Sequence, residues 1–284
     1  MEVLQLTYFR YAAEYENFSS VAVRFGVPAS SVSASIRKLE RELEVPLFDR
    51  TANRIKLNDC GKLLWEAILK SEAAFRYAKN EMNELSQTFS GEIHLLILTN
   101  RRIVTDAISQ FKRLYPHVTF IIKHASSSDL SNEQAFDIIV SDRRPDPTRF
   151  TEMPLIREEI LLAVHKDDPL AGCTRVDPTE LKRETFISMP KGSSIRDYMD
   201  DFFRHHGISP RIAIECDDPE YIRKYVAMGL GVTFFPSVSW KGLESEDTVL
   251  LPIGSGIKRH SALYLNRQAC RTACLFADHL KGLF

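Results

Sequence analysis

Cysteine is scarce: five residues among 284, odd in number and with no Cys-x-x-Cys pair. That excludes a disulfide framework and a thiolate metal site as organising features. Cys60, Cys173, Cys216, Cys270 and Cys274 read as reduced thiols, the last two as small buried groups on one helix face. No apolar run approaches the ~20 residues of a membrane helix, so no membrane partner is expected. The N-terminus has no basic stretch leading into an apolar core, which predicts no secretory leader and a cytoplasmic chain. Charge of one sign is missing as well. Lys and Arg total 37 against 38 Asp and Glu, a net charge of -1, so bulk charge does not announce nucleic acid. His205 and His206 are adjacent and point apart on a helix, while His124 and His165 stand alone. No metal and no cofactor are expected. Ser35-x-x-Lys38 has the spacing of a nucleophile motif, but no glycine-flanked serine elbow accompanies it, so catalysis is not expected.

What is present is concentrated at the start. The length suits two or three domains, and the 44% hydrophobic content is ordinary for a globular chain. Leu6, Phe9 and Ala13 make the apolar stripe of a first helix, Leu4 to Tyr15. A second helix begins near Phe18, with Ser19 as its expected cap, and stops at Gly26. A third, from about Ala29 to Leu43, turns Val32, Ile36, Leu39 and Leu43 inward. Its other stripes carry Ser30, Ala34, Arg37 and Arg41, and Ser31, Ser35 and Lys38. They are small at the N-terminal end and cationic beyond it, a pattern suited to close approach to a groove with cations reaching phosphates. Two helices so closely joined form a helix-turn-helix. Between Arg37 and Lys56 lie six cations against four anions. Leu47, Phe48, Ile55 and Leu57 read as a hairpin with Arg50 and Arg54 at its turn, a wing able to straddle a backbone.

Asn58 is placed to cap a long helix from about Cys60 to Thr88. Leu64, Ile68, Ser71, Phe75, Ala78, Met82 and Leu85 alternate spacings of four and three, a heptad seam that pairs with a second copy of the helix or lies on its own domain. From 90 onward strand-like and helical segments alternate, which predicts an open α/β sheet in two lobes.

The spaced residues Leu4-Gln5-Leu6-x-Tyr8-Phe9, Phe18-Ser19, Ala22, Val27, Val32-Ser33-x-x-Ile36-x-x-Leu39-Glu40-x-x-Leu43-x-Val45-Pro46-Leu47-Phe48-x-Arg50 and Leu57-x-x-x-Gly61 resemble the LysR-type transcriptional regulators. Fainter matches follow at Phe111-x-x-x-Tyr115-Pro116-x-Val118, Phe136-Asp137-Ile138 and Gly229-x-Gly231-Val232. The resemblance implies an N-terminal winged helix-turn-helix domain (1–59), a dimerising linker helix (60–89) and a C-terminal effector-binding domain (90–284). That last domain would be a two-lobed, type 2 periplasmic-binding-protein-like α/β unit, with lobe I over about 90–158 and 267–284 and lobe II over about 159–266. The implied partners are double-stranded DNA, a small-molecule effector, a homodimer or homotetramer, and RNA polymerase. Where the family pattern has Ser-Gln-Pro-Ala, this chain has Pro28-Ala29-Ser30-Ser31, so Ala29 replaces a base-reading glutamine.

The DNA-contact candidates are Ser19, Ser20, Ala29, Ser30, Ser31, Ser33, Ala34, Arg37, Lys38, Arg50 and Arg54. In two-lobed sheets ligands sit beyond the carboxyl ends of strands. Thr99, Asn100, Arg101 and Arg102 follow the first such strand and open a helix, which points to a carboxylate or phosphate, or else the two arginines face solvent. Ser126 and Ser127 follow the next strand. Ser193 lies in a loop before a helix, and Thr233 is expected to floor the cleft. The reading is a DNA-binding regulator controlled by an anionic effector. The alternative is a solute-binding α/β domain or small-molecule enzyme that never touches DNA.

Overall fold

A computed structural model describes residues 1–284 except 52–53, 86–90, 125–131, 243–244 and 284, with backbone alone at 51, 54, 81 and 83–85. It divides into two compact units, Met1–Ala78 and Lys79–Phe284.

In the first unit, α1 (Val3–Tyr15), α2 (Phe18–Phe25) and α3 (Ala29–Leu43) surround a core in which Phe9, Val21, Val32, Ile36 and Leu39 are fully buried. The cap of α2 is Asn17, not Ser19. The Asn17 side chain accepts the N–H of Ser19 at 2.8 Å and of Ser20 at 3.2 Å. The helix already begins at Phe18, which puts Ser19 inside the first turn, where its amide needs an acceptor. Gly26 ends α2 in the left-handed region at φ 63°. The wing is β1 (Phe48–Thr51) antiparallel to β2 (Arg54–Leu57), with Phe48 opposite Leu57.

The long helix α4 (Asp59–Leu85) starts against the wing. Asn58 accepts the Gly61 N–H at 2.8 Å and donates to the Pro46 carbonyl at 2.9 Å. Gly61 is pressed so close that an added Cβ would stand 2.1 Å from the Leu47 carbonyl oxygen. Ile68 is buried in the head core and Leu64 packs on it. By its contacts the head extends beyond 59: the first turns of α4 pack against an apolar face of its three helices.

In the second unit a seven-stranded sheet runs β10-β6-β11-β5-β3-β4, with β9 also pairing β6. Its strands are β3 (Gly91–Ile97), β4 (Val118–His124), β5 (Ile138–Ser141), β6 (Phe150–His165), β9 (Thr233–Pro236), β10 (Thr248–Leu251) and β11 (Ile257–Asn266). β3 lies parallel to β4 and β5, and β11 antiparallel to β5 and β6. Helices α5 (Arg101–Leu114) and α8 (Arg271–Lys281) cover lobe I through Val104, Phe111 and Phe276. In lobe II, α6 (Ser194–His205) and α7 (Pro219–Ala227) share a core with β6, β9 and the small parallel sheet of β7 (Thr185–Ser188) and β8 (Arg211–Glu215).

The sixteen-residue β6 and its partner β11 pass through both lobes, so the lobes are joined by paired strands. Residues 262–266 were expected in lobe II. Of these, Ala262, Leu263, Tyr264 and Leu265 pair with β5 and sit in lobe I. Among the described residues no helix is long and apolar enough to cross a membrane.

Candidate functional site

Two surfaces gather the predicted residues, one in each unit. On the head, Ala29, Ser30, Ser31, Ala34, Arg37, Lys38 and Arg41 are all exposed along α3, while Ser33 is half-buried. Ser19 and Ser20 are exposed at the start of α2. Ala34, Arg37, Arg41 and Arg50 line one open hollow between α3 and the wing. The cations of this face are not equivalent. Lys38 is paired with Glu2 at 2.5 Å, which holds its ammonium above the usual lysine range. Arg37 and Arg41 make no ion pair among the described residues, Arg41 donating only to the Arg37 carbonyl at 3.4 Å.

Arg50, expected at the tip of the wing, folds back onto α3. It meets Glu40 at 2.5 Å and lies 5.9 Å from the Phe18 ring centroid. Glu40 also accepts the Leu47 N–H at 2.9 Å, so this carboxylate fixes the wing to the helix. In the sequence Glu40 stood in the family pattern and among the local anions, with no role of its own. Its signal was position, one helical turn beyond Ile36 and beside the buried Leu39. The Arg54 side chain lies outside the described residues.

The expected seam of α4 divides. Leu64 and Ile68 serve the head, whereas Phe75 is 77% and Met82 62% exposed. Ser71 and Ala78 are exposed too, and the Leu85 side chain lies outside the described residues.

In the second unit a cavity of about 430 Å³ opens between the lobes and brings together Thr99, Asn100, Arg101, Arg102 and Ser193. Thr233 is not among its lining. It is buried in β9 opposite Ala163, because that short strand is packed on both faces. Ser126 and Ser127 lie outside the described residues. Helix α5 begins at the cavity without a side-chain cap, since Asn100 donates to Ser261 at 2.7 Å and accepts from Ser239 at 2.6 Å. The first amides of α5 therefore have no acceptor from their own cap residue. By contrast Ser193 caps α6 and Asp218 caps α7. Arg102 reaches across to the Lys241 carbonyl, and Arg101 is exposed.

The floor was missed by sequence reasoning. Arg259, on β11, donates from Nε to Asp142 at 2.9 Å and from Nη1 to Glu158 at 3.0 Å. From Nη2 it donates to the hydroxyls of Thr99 and of Ser194, the latter at 3.0 Å. One guanidinium thus ties lobe I to lobe II. Tyr198 lies beside this group, and burial together with the Asp142 charge pushes its phenol up. The signal for Arg259 was phase: it shares the inward face of β11 with Ser261 and Leu263.

Likenesses to known proteins cover both units. Residues 3–62 match the family model for the bacterial regulatory helix-turn-helix protein, lysR family, and residues 86–282 that for the LysR substrate binding domain. The transcriptional dual regulator GltC of Bacillus subtilis is 31% identical over 259 residues, 89% of this chain and 86% of the relative. Full-length CbnR complexed with target DNA shares the fold at a TM-score of 0.67 and 20% identity, covering 99% of each chain. The regulatory domain of CcmR from Synechocystis, in complex with 2-PG, does so at 0.62 and 20%, over 68% of this chain and 96% of that one.

Proposed function

The chain belongs to the LysR family of bacterial regulatory proteins, and from that premise we propose how this DNA-binding transcriptional regulator uses its two surfaces. It is a regulator with an effector-binding domain, not an enzyme. The exposed face of α3 enters a major groove, with Ala29, Ser30, Ser31, Ser33 and Ala34 close to base edges and Arg37 and Arg41 on phosphates. Lys38, Arg50 and Arg54 flank them, and Ser19 and Ser20 meet the backbone from α2. The single observation that carries this reading is the pair Arg37 and Arg41, two unpaired cations on the same exposed stripe as the small residues. Phosphate contacts position a protein while base contacts specify.

A second copy covers Phe75, Ala78 and Met82 on α4, giving a dimer or a dimer of dimers, and RNA polymerase is a partner on DNA. The domains run 1–59, 60–89 and 90–284 in functional terms. The chain works in the cytoplasm. CbnR is described with target DNA and CcmR with 2-PG, and by likeness the cavity between the lobes takes a small effector. Its anionic end lies on the uncapped amides of α5 and on Arg101.

The test is a gel shift with DNA flanking this protein's own coding region. Retardation should weaken steeply with added salt, because counterions released from phosphates drive binding. No retardation at low ionic strength overturns the reading.

A further inference from the structure

We propose that Glu2 acts as a built-in substitute for phosphate: it keeps Lys38 off the DNA backbone, so that α3 meets phosphates with Arg37 and Arg41 alone and the head holds arbitrary DNA less tightly than its cations would allow. The inference rests on the reading of that face of α3 as the DNA surface.

The surroundings of Lys38 are organised from α1. Glu2 is the residue that opens α1, where the free amides of the first turn favour a negative charge. Gln5, on the first turn and 2% exposed, accepts the Glu2 N–H at 2.6 Å through its side-chain oxygen. Its side-chain nitrogen donates to Glu42 at 3.2 Å. Lys38 and Glu42 stand four apart on α3, hence on one face of that helix. A buried glutamine thus holds two carboxylates, one from each helix, beside a single lysine. Glu2 takes the Lys38 ammonium at 2.5 Å. Glu42 attracts it as well, while its other oxygen meets the Met1 ammonium. Lys38 therefore reaches the DNA surface already neutralised, whereas Arg37 and Arg41 make no ion pair among the described residues. The Lys38 and Glu2 side chains are 50% and 62% exposed, so their pairing adds little to folding. What it changes is the charge offered to a duplex. Each cation that neutralises a phosphate releases counterions and adds about 0.9 to the salt slope. A cation already held by a carboxylate adds none. The Arg50–Glu40 pair differs, because Glu40 also accepts the Leu47 N–H and so fastens the wing.

The experiment is fluorescence anisotropy of the full-length protein with a labelled duplex of arbitrary sequence, over a salt series. Glu2→Gln keeps the side-chain length and removes the charge. It should bind about two- to fivefold tighter per head at low ionic strength, the worth of an exposed ion pair. Its salt slope should steepen by about one per head as Lys38 joins the phosphate contacts. Lys38→Met alone should leave the wild-type slope unchanged. Combined with Glu2→Gln it should erase the gain. An unchanged or shallower slope in Glu2→Gln overturns the proposal, as does a gain that survives in the double variant. Lys38→Met decides independently even if Glu2→Gln disturbs the start of α1: a slope lowered by about one means that Lys38 already serves phosphate, and Glu2 does not withhold it. Arg37→Ala separates this inference from the reading beneath it. If Arg37→Ala lowers the slope while Glu2→Gln leaves it alone, the role of Glu2 fails and the α3 surface stands. If neither variant moves the slope, the α3 surface fails and the inference falls with it.

Discussion

Asn80 and Glu92 are joined twice, the Asn80 amide donating to the Glu92 carbonyl at 3.0 Å and its carbonyl oxygen accepting the Glu92 N–H at 3.2 Å. The side chain thus acts as one more rung on the edge of β3. It is 3% exposed and also donates to the Cys270 sulfur at 3.4 Å, so the last turns of α4 are held by both strand and helix of lobe I. Asn80→Ala should remove these bonds and cost about 1–3 kcal/mol. The melting temperature of the C-terminal unit should fall by about 3–8 °C, measured by calorimetry.

Arg37→Ala and Arg41→Ala should each weaken binding to all duplexes alike and lower the salt slope by about one. Ser30→Ala or Ser31→Ala should instead alter which sequences are preferred. Fluorescence anisotropy against two unrelated duplexes over a salt series separates these outcomes. A change of sequence preference in the arginine variants would contradict the phosphate assignment.

Met82→Asp and Phe75→Asp should weaken self-association by about a hundredfold or more, because each puts a charge into an apolar contact. Their heads should remain folded. Leu64→Asp should unfold the head instead, since Leu64 packs in its core. Sedimentation equilibrium with circular dichroism reads both, and an unchanged mass for Met82→Asp would argue against the seam.

Arg259→Met should leave Asp142 and Glu158 as unpaired buried charges and destabilise the C-terminal unit by about 3–5 kcal/mol. Adding Glu158→Gln should restore part of the loss. Chemical denaturation of both variants measures it.

His124 is surface-exposed, yet partial desolvation of its ring, reinforced by the nearby Arg101 guanidinium, holds the imidazole below its usual range. The unfolded chain takes up that proton near pH ~6.5, the folded chain only at lower pH. The contribution of His124 is therefore intact above that pH and is lost as the pH falls toward the depressed folded value. His124→Gln should flatten this part of the stability profile, followed by urea titration between about pH 5 and 8.

The reading head was legible because its signals are local. Val32, Ile36 and Leu39 fall on one helical stripe, and the predicted bounds of α3 coincide with the observed ones. The N-terminal part of β6 was not legible. Thr151 to Glu159 mixes Pro154 with Glu152, Arg157, Glu158 and Glu159, and only pairing with β11 makes it a strand. β10, four residues among turns, was missed for the same reason. Of the cavity, the mouth was legible from Thr99 to Arg102 and Ser193, because helix starts have a sequence signature. Arg259 at its floor was not, nor its partners Asp142 and Glu158, since the three are far apart in the chain and read singly as solvated charges.

Gly26 and Gly61 both punctuate the head, yet they constrain it differently. An added Cβ at Gly26 would meet nothing within 4 Å, so only its positive φ restricts replacement and asparagine is tolerable there. At Gly61 even a methyl group collides with the Leu47 backbone, a neighbour that cannot swing aside. Substitution there would lever the wing away from the rod's root, so drift among descendants of this regulator should spare position 61 while relaxing 26.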